Sequence, residues 1–483
     1  MGYKALFRAL AVLLSIVSAF MFLCLLVGLF LGEGAAAIRT FGIPVLLGGL
    51  LFLPAILVGK SNTHLSSRAG YLFVVLSWLG ATILGALPFL LSGAISSVPA
   101  ALFETMSGFT TTGATILTNI EALSGSLLLW RATTHWIGGM GIVVLTVAIF
   151  PLLGLNGKAL MEAEAPGPQV DKFTPRLSHT AGILWLIYLG LTILLVILLM
   201  FGGMSLLDAV IHSFSTLATG GFSSRNASVG AWNSAYIDVV ITIFMVLAGT
   251  NFALHWRMLQ GKFGKALYDS EWRLYIGIFS VSSILIAVNL FRSGIYASFA
   301  QSLRFASFQA ASILTTTGSA TADYLLWSPF AQAVLFCLMF IGGSGGSTAG
   351  GIKVGRIMTL LKMGVAEMKY LMNPRGVYGI FVNKTYVHKK IVYDIAAMVF
   401  LYITSILIST LVVAWGGYDI LTSLTATLAT LGNIGPGFSL VGPACNYAFF
   451  PGWIKLWLVF TMLLGRLEVY TVLLIFTRSF WKR

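Results

Sequence analysis

The segment Ser107-Gly-Phe-Thr-Thr-Thr-Gly113 has three counterparts further along this chain of 483 residues. The counterparts are Ser215-Thr-Leu-Ala-Thr-Gly-Gly221, Ser312-Ile-Leu-Thr-Thr-Thr-Gly318 and Ala429-Thr-Leu-Gly-Asn-Ile-Gly435, and all four align without a gap. Their final glycines are 108, 97 and 117 residues apart. Solenoid repeats are much shorter, at about 20–50 residues, so this spacing favours four copies of a membrane hairpin.

Each of these turns ends a segment that is too short to cross a bilayer. The segments have about 12 helix-compatible residues before the turn, whereas a spanning helix needs about 20. A segment of this length must enter the membrane and return on the same side. Irregular backbone is stable at that depth only where protein buries it or where it lines a watery cavity. The short segments lie near 98–117, 206–223, 298–320 and 419–437.

The composition also indicates a membrane protein. Hydrophobic residues make up 58% of the chain, charged residues only 9%, and the mean hydropathy is +0.93. A soluble domain has about 25% charged residues, because its surface faces water. Together with the repeated turns, this predicts an all-α polytopic membrane protein. Two N-terminal helices should be followed by four helix–pore-loop–helix repeats around one pseudo-fourfold ion pore.

Apolar stretches long enough to span a bilayer divide the chain into five parts. The predicted parts are an N-terminal two-helix extension at 1–65 and pore repeats at 66–156, 157–262, 263–375 and 376–483. The N-terminal helices are expected near 5–31 and 40–59. Leading spans of the repeats are expected near 71–92, 179–201, 272–291 and 391–415. Trailing spans are expected near 128–153, 234–256, 329–361 and 452–477.

The net charge of +14 is explained by orientation in the membrane. Of the 29 basic residues, 22 lie in six clusters that are separated by stretches nearly free of positive charge. The positive-inside rule places these clusters, and with them both termini, in the cytoplasm. Nucleic acid is not an expected partner, because no aromatic or polar readout residues accompany the charges. The largest cluster has eight basic residues from Lys353 to Lys390.

The composition of the turns indicates the chemistry of the pore. To remove water from a cation, several backbone carbonyls must face it together. Glycine reaches the positive φ that such a turn requires, and the short helix before it directs a partially negative C-terminus at the cavity. The turns contain no charged side chain, so carbonyls must supply the coordination. The alternative is that Gly and Thr only help helices to pack in lipid, and four turns in register argue against it.

Four further motifs accompany the turns: Trp136-Ile-Gly-Gly-Met-Gly141, Pro166-Gly-Pro168, Gly342-Gly-Ser-Gly-Gly-Ser-Thr-Ala-Gly-Gly351 with Lys353, and Gly465-Arg-Leu-Glu468. With these motifs the chain resembles the TrkH/TrkG family of potassium-uptake subunits, which is related to the KtrB and plant HKT transporters. The resemblance covers essentially the whole chain. The two helices ahead of the first hairpin match the TrkH branch rather than KtrB.

The resemblance implies that potassium is the transported ion and that this chain binds no organic cofactor. Some sodium-selective plant relatives carry serine at the first filter glycine, so four glycines imply a potassium-permeable filter. A less selective potassium/sodium transporter of the same superfamily is the alternative. The implied ion-binding carbonyls belong to the two residues before each glycine, and the fourth turn departs most from the pattern. The predicted filter consists of Thr111, Thr112 and Gly113; Thr219, Gly220 and Gly221; Thr316, Thr317 and Gly318; and Asn433, Ile434 and Gly435.

The third trailing span contains an interruption that indicates a gate. Residues 342–351 include six glycines, two serines and a threonine, and such a stretch cannot hold a regular helix against lipid. We expect it inside the bundle beneath the filter, and the resemblance implies a loop that obstructs the inner cavity. The alternative is a glycine-rich helix contact. The predicted gate residues are Gly345, Gly346, Ser347, Thr348, Lys353 and Arg466.

Arg466 lies in the middle of the last predicted span. A cation there costs about 2.5–3.5 kcal/mol or more on insertion scales, so it should face the interior and pair with Glu468 or with loop carbonyls. Its charge would raise the barrier for potassium by Coulomb repulsion. A purely structural ion pair is the alternative.

Other residues that could carry chemistry have simpler interpretations. His135 and His255 lack a partner at metal-ligand spacing and are expected to be hydrogen-bonded helix contacts. Glu104 could stabilise the start of the first pore helix or attract cations to the mouth. The three cysteines are expected to be packing residues: Cys24, Cys337 and Cys445.

The regulation and setting of the pore follow from the resemblance. It implies a homodimer of this membrane subunit, a cytosolic nucleotide-binding regulatory subunit of TrkA type, and a place in the bacterial inner (cytoplasmic) membrane. An intramembrane enzyme or receptor is the alternative from another class. An enzyme would need paired Asp residues, a metal site or a Ser/His pair, and the spans offer none, so the chain is not expected to be one.

Overall fold

The computed structural model describes residues 3–57, 67–141, 177–383 and 385–482. Helices dominate this part of the chain. Its strands form one small antiparallel hairpin, in which Phe381–Val382 pairs with Thr385–Tyr386. Six of the described helices are long and apolar enough to cross a membrane, or seven if one bent pair counts as a single span. The predicted all-α polytopic fold is confirmed.

The N-terminal and leading spans lie where the apolar stretches predicted them. They carry exposed apolar side chains on one side, such as Leu186 and Phe400, and buried ones on the other, such as Leu195 and Tyr402. This is the pattern of a helix whose outer face meets lipid. The N-terminal helices are Tyr3–Phe30 and Ala35–Leu57, and the leading spans are Ser67–Leu91, Leu177–Phe201, Ser270–Arg292 and Lys389–Ala414.

Four shorter helices follow the leading spans and carry the turns on which the fold prediction rests. A helix of 12 residues rises about 18 Å, well short of the roughly 30 Å hydrocarbon core. We call them pore helices 1 to 4, and they are Val98–Phe109, Leu206–Leu217, Phe299–Leu314 and Ile420–Leu431. Most of their residues are buried, so the protein interior surrounds them.

Three of the trailing spans are broken, whereas the sequence predicted a break only in the third. The second consists of Ala235–Ala248 and Phe252–Leu259, which meet at 99°. The third consists of Pro329–Leu338 and Val354–Met372, and the fourth of Gly452–Arg466 and Tyr470–Ile475. The expectation of continuous spans at 234–256 and 452–477 is therefore wrong, and a break is not peculiar to the third repeat. The first, Gly125–Gly139, precedes residues 142–176, so the rest of that predicted span and Pro166-Gly-Pro168 lie outside the described residues.

The breaks have local causes. Asn251 caps the second half of the second trailing span, because its side chain accepts a hydrogen bond from the N–H of Ala253 at 2.8 Å. In the fourth, Glu468 and Val469 have φ of 55° and 63°, and the N–H of Tyr470 donates to the carbonyl of Glu468 at 2.6 Å. A tight turn of this kind ends the helix inside an otherwise apolar run. The remaining short helices are Phe263–Leu267, Arg478–Trp481 and the 3₁₀ turns Ser228–Trp232, Tyr324–Leu326 and Ser439–Val441.

Candidate ion pathway

Each pore helix begins at a side chain that caps it. The cap residues are Ser97, Ser205, Ser298 and Asp419. Every one of these side chains accepts a hydrogen bond from the backbone N–H three residues further on. Such a cap contributes about 1 kcal/mol, so all four short helices start at a defined residue.

Each pore helix also ends in the same hydrogen-bonded motif. In the first, the N–H of Thr112 donates to the carbonyl of Ser107 at 2.9 Å, and the N–H of Thr111 donates to that of Gly108 at 3.0 Å. The corresponding pairs recur in the other three turns at 2.8–3.3 Å. This is the Schellman arrangement, which requires a left-handed residue just after the helix.

The left-handed residue is not a glycine in any of the four turns. Its φ is 54° at Thr111, 56° at Thr219, 58° at Thr316 and 52° at Asn433. This conformation costs a residue other than glycine about 1–2 kcal/mol, and asparagine tolerates it better than a β-branched threonine does. Strain of this kind persists only where the surrounding structure fixes it. The final glycine of each turn also has a positive φ, between 76° and 97°.

The four turns together form a closed ring. A Cβ atom on Gly113 would collide with the carbonyl oxygen of Gly220, which belongs to the second turn. The other contacts continue around the ring: Gly221 with the carbonyl of Thr317, Gly318 with that of Ile434, and Gly435 with that of Thr112. Each final glycine thus lies against the carbonyl of the residue before the next glycine. The structure brings all the predicted filter residues together in this ring.

The segments that follow the turns also join neighbouring repeats. Tyr324 donates from its hydroxyl to the carbonyl of Gly437 at 2.6 Å, and the N–H of Tyr447 donates to the carbonyl of Thr115 at 2.8 Å. A cavity of about 200 Å³ opens over the ring on this side. All four final glycines line it, together with Arg131 and Asn446. The ring therefore faces a space that can hold several water molecules, lined by polar and apolar residues.

A buried ion pair supports the first and second turns. The Nε of Arg131 donates to Glu104 at 2.7 Å, and its Nη1 donates to the carbonyl of Ser223 at 2.9 Å. Glu104 also accepts hydrogen bonds from the hydroxyl of Thr115 and the N–H of Ile116. Because Glu104 is fully buried in the middle of pore helix 1, neither predicted role fits: it does not cap the helix and does not reach the mouth.

The histidines that the sequence singled out form hydrogen bonds with the backbone, and the cysteines differ in exposure. His135 contacts the carbonyl of Gly108 at 2.7 Å, and His255 contacts that of Leu247 at 3.0 Å, so both are hydrogen-bonded helix contacts as predicted. The described residues contain no group of three or more His, Cys, Asp or Glu that could hold a metal ion. Cys24 is buried, whereas Cys337 and Cys445 are exposed, so the packing prediction is wrong for those two.

The glycine-rich loop, residues 339–353, lies directly beneath the ring. The hydroxyl of Thr348 donates to the carbonyl of Leu217, at the end of pore helix 2, at 3.0 Å. The N–H of Gly350 donates to the hydroxyl of Thr316 at 2.7 Å. Residues 342–351 form no helix, so the alternative of a glycine-rich helix contact is wrong. Through these two hydrogen bonds the loop contacts the second repeat at a backbone carbonyl and the third repeat at a side-chain hydroxyl.

Arg466 joins the ring, the glycine-rich loop and the first trailing span. Its Nη1 donates to the hydroxyl of Thr111 at 3.1 Å and to the carbonyl of Thr348 at 3.0 Å. Its Nη2 donates to the carbonyls of Gly138 and Gly139, at the C-terminus of a helix, at 2.5 and 2.9 Å. A helix C-terminus carries partial negative charge, which favours a cation. The expected contact with a loop carbonyl is present.

Glu468, the alternative partner considered for Arg466, and the predicted gate residue Lys353 make other contacts. Glu468 forms an ion pair with Arg356, in the helix after the loop, and not with Arg466. Lys353 donates from its Nζ to the carbonyl of Ala349, so it folds back onto the loop. The ion pair joins the helix after the loop to the break in the fourth trailing span, and the Lys353 contact lies within the loop.

Comparison with known proteins identifies the family. The TrkH family model, described as a cation transport protein, matches residues 46–483. The chain belongs to the TrkH family. The resemblance drawn from the motifs is thus confirmed. This membership also confirms that the chain is a transport protein and not an enzyme.

Relatives of this TrkH-family chain match it along most or all of its length. It is 39% identical to the Trk system potassium uptake protein TrkH of Salmonella typhimurium, with all of both chains covered. It is 34% identical to the Trk system potassium uptake protein TrkG of Escherichia coli, over 88% of this chain and 87% of that one. The crystal structure of the potassium transporter TrkH from Vibrio parahaemolyticus covers 100% of both chains, with a TM-score of 0.88 and 35% identity.

Several residues of this TrkH-family site were not predicted from the sequence. Glu271 accepts hydrogen bonds from the backbone N–H groups of Gly345 and Gly355. Asn433 was predicted as a filter residue, but its side-chain contact was not: its Nδ2 donates to the hydroxyl of Thr112 at 3.0 Å. Arg131 had no assigned role. Arg131 is a charged residue within an apolar stretch, and that is the signal by which it could have been found. Glu271 gives no such signal, because it lies just before the predicted span among other charged residues.

Proposed function

We propose that this chain takes up potassium through a channel-like pore whose filter is the ring of four glycine turns. The observation that carries the proposal is the closed set of contacts in which each final glycine lies against a carbonyl of the next turn. Carbonyls held at one level around an axis can replace the hydration shell of a cation. The relatives, which are named as potassium uptake proteins, support potassium as the ion.

In this proposal each turn contributes its three final residues to the filter, and the ion-binding carbonyls are those of the two residues before the glycine. The three positions in the fourth turn hold Asn433, Ile434 and Gly435, so its contribution differs from the threonine-rich turns. The ring has one glycine per repeat and is short. A short filter in which one of the four turns differs in sequence favours only a modest preference for potassium over sodium. A less selective potassium/sodium transporter is therefore the second candidate.

The glycine-rich loop and Arg466 form the gate in this proposal. The loop contains four of the proposed gate residues, Gly345, Gly346, Ser347 and Thr348, and Lys353 is its last residue. The loop is hydrogen-bonded to Thr316, and Arg466 to Thr111, so both lie where an ion leaving the ring must pass. A guanidinium there repels potassium until it moves or is screened.

The proposed membrane location, oligomeric state and regulatory partner are those implied by membership of the TrkH family. We propose the bacterial inner membrane with both termini in the cytoplasm, a homodimer, and a cytosolic nucleotide-binding regulatory subunit of TrkA type. The repeat boundaries at 65, 156, 262 and 375 belong to the same proposal. Inward flux is favoured by about 2.3 kcal/mol per charge for each 100 mV of membrane potential.

The test is ion flux into liposomes with potassium or sodium as the permeant ion. Gly113→Ser and Gly318→Ser each place a Cβ against a ring carbonyl at a positive φ, so we expect potassium flux to fall and the preference over sodium to shrink. Gly93→Ser is the matched control, because Gly93 also has a positive φ but no neighbour within 4 Å. Unchanged selectivity in both filter variants would contradict the filter assignment, and equal flux of the two ions in the unmodified protein would favour the second candidate.

A further inference from the structure

Glu271 connects the middle of the glycine-rich loop to the helix that follows it. It lies in the first turn of the leading span Ser270–Arg292. Its Oε1 accepts a hydrogen bond from the N–H of Gly345 at 2.7 Å and a second from the N–H of Gly355 at 2.9 Å. One carboxylate oxygen thus holds two backbone groups that are ten residues apart in the chain.

The chemistry of both contacts favours a carboxylate. Gly355 lies in the first turn of the helix Val354–Met372, whose first N–H groups have no partner within the helix. A negative charge at a helix N-terminus is stabilised by the partial positive charge there. Hydrogen bonds from N–H groups to an ionised oxygen are about twice as strong as neutral ones. A single oxygen of Glu271 therefore accepts a hydrogen bond from the otherwise unpaired N–H of Gly355 and also holds the loop at Gly345.

The glycine-rich loop has few other side-chain attachments on this side. The N–H of Ser344 donates to the carbonyl of Gly249, and the N–H of Phe252 donates to that of Gly346, so the backbone of the second trailing span holds the neighbouring residues. Six glycines leave the loop with little conformational preference of its own. External contacts must therefore decide which conformation it adopts.

We propose that Glu271 is a positioning residue that holds the glycine-rich loop in its obstructing conformation. The inference rests on the proposed function of that loop as the gate. Loss of the carboxylate releases Gly345 and uncovers the N-terminus of the following helix. The loop then leaves its position beneath the ring more often, and ions pass at a higher rate through an unchanged filter.

The hairpin of Phe381–Val382 and Thr385–Tyr386 is attached to the same helix end. Asn383 donates from its Nδ2 to Asp269 at 2.7 Å and accepts from the N–H of Ser270 at 2.7 Å. Asp269 in turn caps the helix that carries Glu271, accepting from the Glu271 N–H at 3.0 Å. Displacement of this hairpin therefore displaces Glu271, which gives the loop a connection to the surface on the proposed cytoplasmic side.

The experiment compares Glu271→Ala with the unmodified protein by two measurements on the full chain in lipid. Hydrogen–deuterium exchange of a peptide covering residues 342–355 reports release of the loop and does not depend on ion flux. We expect exchange to accelerate by about tenfold or more, because two charge-assisted hydrogen bonds are lost. Potassium flux into liposomes should rise several-fold, with the preference over sodium unchanged.

Three further variants keep the result interpretable. Glu271→Gln retains an acceptor oxygen without the charge and should give smaller increases in both measurements, which also covers the case in which the alanine variant does not fold. Glu367→Ala removes the same charge from an exposed position of the following helix and should change neither. Asn383→Ala should accelerate exchange in the same peptide less than Glu271→Ala does.

The outcomes separate this inference from the proposed function. Unchanged exchange at 342–355 in folded Glu271→Ala protein overturns the positioning role, whatever the flux. Faster exchange with unchanged flux supports Glu271 as the residue that holds the loop and overturns the loop as the gate. A lost ion preference in Glu271→Ala would show that the filter itself had moved, which also overturns the inference.

Discussion

Arg466 donates a hydrogen bond to the hydroxyl of Thr111, although 355 positions separate the two residues in the chain. Thr111 is the left-handed residue of the first turn, with φ of 54°, and Arg466 ends the helix Gly452–Arg466. The first half of the fourth trailing span therefore holds a strained position in the first repeat. A change at Arg466 acts on the ring as well as on the space below it.

The first prediction concerns the charge of Arg466. Arg466→Ala removes a cation from beneath the ring, and we expect potassium flux per folded protein to rise several-fold, because the repulsion is lost. Arg466→Lys retains the charge and should keep flux close to that of the unmodified protein. Arg292→Ala is the control, since Arg292 is an exposed cation at the end of a leading span. Unchanged or lower flux in well-folded Arg466→Ala protein would count against a gating role.

The second prediction separates backbone strain from loop attachment. Thr316→Gly and Thr219→Gly both relieve a left-handed threonine. Only Thr316 accepts a hydrogen bond from the N–H of Gly350 in the glycine-rich loop, whereas the hydroxyl of Thr219 donates to the carbonyl of Ala218 in its own turn. We therefore expect Thr316→Gly to raise potassium flux and Thr219→Gly to leave it nearly unchanged. Equal effects of the two substitutions would exclude the attachment as the cause.

The third prediction concerns the buried pair of Glu104 and Arg131. Glu104→Gln leaves Arg131 buried without its counter-ion, which costs about 3–5 kcal/mol, so thermal stability should fall markedly. Potassium flux should fall as well, because Arg131 lines the cavity over the ring. Thermal unfolding in detergent and liposome flux provide the two measurements.

Two matched variants test this explanation. Replacing both partners, with Glu104→Gln and Arg131→Met together, should recover part of the lost stability, because no buried charge is left unpaired. Glu367→Gln removes an exposed carboxylate and should have no effect. If Glu104→Gln were as stable as the unmodified protein, the pair would not support the turns.

The turns could be predicted from the sequence because their signal is local. A glycine that must adopt a positive φ, preceded by a short capped helix, leaves its pattern within about 20 residues, and the pattern recurs in register. Glu271 left no such pattern, because its partner Gly345 is 74 positions away and neither residue is unusual alone. The breaks in the second and fourth trailing spans were missed for a related reason. Hydropathy averages over a window, and a capping Asn251 or a tight turn at Val469 hardly changes the average.

The closed ring has a consequence for the biogenesis of the protein. Gly435 of the last repeat lies against the carbonyl of Thr112 of the first, and Asn433 is hydrogen-bonded to the same threonine across 321 positions. During synthesis, the first turn has no neighbour on one side until the fourth repeat has entered the membrane. The ring of the proposed filter is therefore complete only when the last repeat has reached the first.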